Sequence, residues 1–128
     1  MRTLAMVLFL ATLAFGQKAP ETDSKEDWQR MKDCAAQAEK VGPVQAEANK
    51  GTYTNHYSPK YGRCFLRIVW WSSDSVRNIR LMDAYEHENL ALYQPGHPDT
   101  GSKDACLLLT AVAECSVVWD FIAERMRN

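Results

Sequence analysis

The sequence predicts an α+β domain: an N-terminal helix, an antiparallel sheet of about four to five strands, a C-terminal helix, and two disulfides stapling them together. Three observations predict it. Apolar residues recur at helical spacing from Trp28 to Ala38, apolar and polar residues alternate through several runs between residues 51 and 93, and the cysteines are even in number.

The first 16 residues, "MRTLAMVLFLATLAFG", come before the domain. Arg2 supplies a positive start and Leu4 to Phe15 carry no charge. The run is shorter than the roughly 20 apolar residues a membrane-spanning helix needs. Ala14 and Gly16 provide the small residues that signal peptidase requires, so the expectation is a signal peptide cut before Gln17 and a secreted or periplasmic protein. Residues 17–23, "QKAPETD", read as a flexible arm, and residues 24–128 as one domain.

Within the domain, Ser24 offers a helix cap with Asp27 three residues later, and Trp28, Met31, Ala35 and Ala38 follow as a stripe with Cys34 beside them. Gly42-Pro43 reads as the stop. "GTYTNHY" and "RCFLRIVWW" then alternate around "SPKYG", where Pro59 and Gly62 suit a turn, so residues 51–71 form a hairpin. In its second strand Cys64, Leu66, Ile68 and Trp70 point to the core, and Phe65, Arg67, Val69 and Trp71 to the other face. That second face is partly apolar too, so something covers it or it is a contact surface. "SSDS" turns the chain into "VRNIRLMDAYE", with Ile79, Leu81 and Tyr85 on one side and Met82 and Ala84 on the other. "HEN" turns it again into "LALY", and "QPGHPDTGSKD" is a surface loop.

Four cysteines, Cys34, Cys64, Cys106 and Cys115, allow three pairings. The expected set is Cys34–Cys64, tying helix to hairpin, with Cys106–Cys115 closing a short local loop. The spacing lacks the close pairs of a zinc site and the C-x-x-C of a thiol oxidoreductase. Residues 105–127 fit either one long helix or a strand followed by a helix from about Ser116. In one continuous helix Cys106 and Cys115 would stand about 13 Å apart along the axis. A bond between them therefore requires strand, turn and helix.

The order of these features resembles a set of small exported bacterial proteins of unknown function. The likeness rests on "MKDCAAQAEKV", "YTNHYSPKYGRCF", "LMDAYE…LALY" and the C-terminal helix, and covers most of residues 28 to 126. The resemblance implies compartment and architecture and brings no activity, substrate or catalytic residue.

Candidate chemistry is sparse. His56 could act as a general base near neutral pH, with Glu86 or Glu88 completing a hydrolase-like set. No nucleophile motif lies nearby, so a half-exposed strand histidine and a solvated "YEHEN" turn explain the same residues. His97 sits in the long loop and has the same standing. Trp70-Trp71 is the stronger lead, because one of two adjacent strand residues faces away from the core and exposed tryptophan is a favoured binding anchor. The expected binding surface is Trp71, Phe65, Tyr61 and His56.

With a net charge of −1 and no basic stripe, the chain has no electrostatic footprint for nucleic acid. No apolar run after the leader could span a membrane, and neither metal nor cofactor is expected. The leading function class is a binding or structural module without catalysis, whose partner is an extracytoplasmic protein or an apolar ligand. An inhibitor of a secreted enzyme and the His56 hydrolase are the alternatives.

Overall fold

The computed structural model describes residues 24–127. The expected signal peptide and arm, residues 1–23, lie outside the described residues.

Helix α1 spans Ser24–Ala48, with Glu26 and Asp27 in the first turn, where negative charge complements the helix dipole. Its buried stripe is Cys34, Ala38, Gly42 and Ala46, spaced by four. The expected stop at Gly42-Pro43 is overturned: Pro43 lies inside the helix. Gly42 serves packing instead of termination, since a Cβ there would fall 2.4 Å from Tyr53 Cδ2. Bringing the helix this close to the sheet outweighs the hydrogen bond that Pro43 cannot donate. The stop comes later, where Lys50 takes a left-handed φ of 53° and the Gly51 N–H donates to the Ala46 carbonyl at 2.9 Å.

A second correction concerns the stripe's beginning, because Trp28 is 60% and Met31 49% exposed. The helix outruns its support. Its 25 residues extend about 37 Å, whereas a seven-residue strand covers about 23 Å.

Among the described residues the sheet has six antiparallel strands in chain order. They are β1 Thr52–Ser58, β2 Arg63–Trp71, β3 Arg77–Asp83, β4 Asn89–Tyr93, β5 Leu107–Leu108 and β6 Ala111–Val112. The four long strands are those the alternation predicts, and the last two form a two-residue hairpin. Helix α2, Cys115–Arg125, follows, so strand-then-helix holds over one long helix, with the second strand β6 an addition to the expected strand, turn and helix. Both expected disulfides are present, with Cα atoms 5.3 Å apart for Cys34–Cys64 and 5.2 Å for Cys106–Cys115.

Period-two alternation gives the sheet two apolar faces, and each has its own helix. Leu66, Ile68, Met82 and Ala84 pack with Cys34 and Ala38 of α1. Phe65, Ile79, Leu81 and Ala91 pack with Val118 and Ile122 of α2. On the partly apolar second face of β2, Phe65 is buried in the α2-side core, Arg67 and Val69 are half-buried, and Trp71 is exposed. At about 25 cal/mol per Å² of buried apolar surface, these two layers supply the main stabilisation. Among the described residues no helix is long and apolar enough to cross a membrane.

Candidate functional site

Two surface features follow from this frame. The first is a polar cleft of about 560 Å³ at the end of the sheet where the β1–β2 and β3–β4 turns meet the N-terminal half of α1. Asp83 ends β3 and shapes it. Its buried carboxylate accepts the backbone N–H groups of Tyr85 and Glu86 through Oδ1 at 2.9 and 3.0 Å, which turns the chain. Oδ2 faces Arg63 at 3.6 Å. Across the cleft, Arg30 donates to the Tyr57 hydroxyl at 3.1 Å and pairs with Glu26. The bond to Tyr57, then the Glu26 charge, hold the guanidinium proton more tightly than usual. Glu86 and Glu88 line the same cleft.

The hydrolase-like set is not assembled there. Tyr57, not His56, lines the cleft, since His56 stands opposite Phe65 and its Nε2 is buried without a hydrogen-bond partner. No nucleophile joins Glu86 and Glu88, and no group of three metal-ligating side chains occurs among the described residues. His97 belongs to the long loop, where its N–H donates to Ser102 Oγ at 2.7 Å. Ser102 and Thr100 donate in turn to Asp74 Oδ2, each at 3.3 Å, so the loop is pinned to the β2–β3 turn. The hydrogen bond from Ser72 lowers the Asp74 carboxyl below its ordinary range; desolvation opposes it, and bonds from the Asp74 N–H, Thr100 and Ser102 add to the lowering.

The expected binding surface is likewise divided. Phe65 is 1% exposed and belongs to the core under α2, so it drops out of the surface. Tyr61 packs edge-on against Phe65 at 6.0 Å and donates to Glu124 Oε1 at 2.8 Å. Lys60 reaches the same oxygen at 2.5 Å, and these two bonds hold the Glu124 carboxyl low. The β1–β2 turn is thus tied to α2. Trp71 lies six residues along β2 from Phe65, about 20 Å away.

Trp71 is the second feature. It is 64% exposed and stands opposite Arg77 in the β2–β3 register. The Arg77 guanidinium lies 5.9 Å from the centre of the Trp119 ring, which is itself 40% exposed and packs edge-on against Tyr93 at 5.3 Å. Two tryptophans with an arginine between them therefore face solvent at one end of the α2 side. Sequence reading identified Trp71 and missed Arg77 and Trp119. The available signal was the buried α2 pair, Val118 and Ile122, which leaves Trp119 at the margin of the helix's apolar stripe.

No family model, curated protein or solved structure matches the chain.

Proposed function

We propose that the chain is an exported binding module without catalytic chemistry, and that Trp71, Arg77 and Trp119 form the face that grips an extracytoplasmic protein partner. The observation that carries this reading is the exposure of two tryptophans around one arginine, in a domain that fills both sheet faces with its own helices. Tryptophan and arginine dominate the energetics of protein interfaces because they bury a large area while retaining a directional polar group. Two disulfides support an oxidising compartment, as does the signal-like N-terminus.

The test compares proteins captured from the native extracytoplasmic fraction by wild type, Trp71→Ala/Trp119→Ala and the remote surface variant Val44→Ser. One identified protein should be enriched by wild type and Val44→Ser, and lost at least tenfold with the tryptophan double variant. If nothing is lost selectively with the double variant, the face is not the contact.

A further inference from the structure

Among the described residues nothing pairs with the outer edge of β1, which is long and uncharged. Its seven residues, "TYTNHYS", contain no Lys, Glu or Pro, the residues that usually blunt an exposed edge. The Ala84 N–H donates to the Cys64 carbonyl at 2.9 Å, which turns the backbone groups of Cys64, Leu66 and Ile68 toward β3. Alternation then turns Phe65, Arg67 and Val69 toward β1, where they meet His56, Thr54 and Thr52. The N–H and C=O groups of Tyr53, Asn55 and Tyr57 consequently face away from the sheet. Among the described residues, no backbone hydrogen bond outside the helices and strands uses them, and β1 has no strand on that side.

Helix α1 overhangs the same edge. Gly42 rests on Tyr53 of β1, whereas Gln37 reaches the Ala84 carbonyl past the end of β3. At about 100° per residue, Trp28, Lys32, Ala35 and Glu39 all fall on the Gly42 side of the helix, away from Gln37. The exposed Trp28 and Met31 of the apolar stripe therefore project from the β1 side.

We propose that a second copy of this chain occupies the edge, pairing β1 with β1 antiparallel about a two-fold axis through Asn55. The strand is complementary to itself in this register. Asn55 meets Asn55 and Tyr53 meets Tyr57, so the three outward residues of each copy form six main-chain hydrogen bonds with no charges opposed. Asn55 Nδ2 lies 3.8 Å from Cys34 Sγ, so the two-fold brings the α1 helices side by side, antiparallel, near residue 35. The small Ala35 allows close approach there. Lys32 of each copy then stands level with Glu39 of the other, giving two opposite-charge pairs, and Trp28 stands level with Pro43 of the other helix. Charge complementarity along α1 and hydrogen-bond complementarity along β1 select the same axis.

The experiment is sedimentation of the disulfide-bonded protein over a wide concentration range. Wild type should show a reversible dimer. Asn55→Pro removes an outward N–H that β2 does not use, and should weaken the dimer at least a hundredfold while leaving the circular dichroism spectrum unchanged. Lys32→Glu should weaken it about tenfold by setting Glu against Glu39, and adding Glu39→Lys should restore it. A wild-type monomer at all concentrations, as would follow if residues 17–23 or another protein cover the edge, overturns the proposal. A dimer insensitive to both Asn55→Pro and Lys32→Glu overturns it equally, because association would then use another surface.

Discussion

Replacing Gly42 by alanine sets two opposing effects against each other. In a solvent-exposed helix the change would stabilise by about 0.8–1 kcal/mol, because glycine loses more backbone freedom on folding. Here the new Cβ would lie 2.4, 2.5 and 2.7 Å from Cδ2, Cε2 and Cγ of the Tyr53 ring. Ordinary carbon contacts are about 3.5–4.0 Å, so three atoms of a packed ring must retreat by roughly an ångström. Overpacking of this kind costs about 1–3 kcal/mol. The clash wins, and Gly42→Ala should destabilise by about 1–2 kcal/mol in a urea melt followed by circular dichroism. Truncating the ring isolates the cause. In a Tyr53→Ala background the same substitution should stabilise by about 0.5–1 kcal/mol, a sign reversal that only the ring contact explains. Stabilisation by Gly42→Ala in the wild-type background would refute the close-packing argument.

Further outcomes follow from the same packing. Leu66→Ala and Ile68→Ala, each emptying a fully buried site under α1, should cost about 2–5 kcal/mol in denaturant melts. His56→Ala removes a ring whose Nε2 has no partner, and should cost under about 1 kcal/mol. Asp74 has a lowered carboxyl pKa, so the stability it lends the 94–105 loop is fully present above its ordinary value of 3.8 and is lost as pH falls through the lowered value. After correction for the intrinsic pH dependence of amide exchange, protection of the His97 amide should fall over that acid range in wild type, whereas Asp74→Asn should show no such step.

Much of the fold was legible because its signals are local. The alternation in "RCFLRIVWW" assigned Leu66 and Ile68 to one layer and Phe65 and Val69 to another, and the core clusters follow that division. The distance a Cys106–Cys115 bond can span chose strand over helix for residues 107–112. What escaped depends on contacts distant in sequence. Gly42-Pro43 has the composition of a helix end, and only the Tyr53 ring across the interface makes it a packing site. Trp28 and Met31 keep helical spacing with the buried stripe, yet no periodicity reports where the underlying sheet ends. Arg77 and Trp119 are 42 positions apart and meet only because β3 and α2 share a face. His56 was separated from Glu86 and Glu88 by strand parity, which places its neighbour Tyr57 in the cleft.

The chain-order arrangement of the six strands has a consequence for oxidation. Each strand docks beside the one made just before it, so no segment waits for a distant partner. The cysteines follow the same rule: the first bonds the second, and the third the fourth. A chain emerging from its N-terminus into an oxidising space presents Cys34 and Cys64 before Cys106 and Cys115 exist there to compete. Joining thiols in order of appearance gives the native pairing directly, so assembly needs an oxidant but no reshuffling of misplaced bonds.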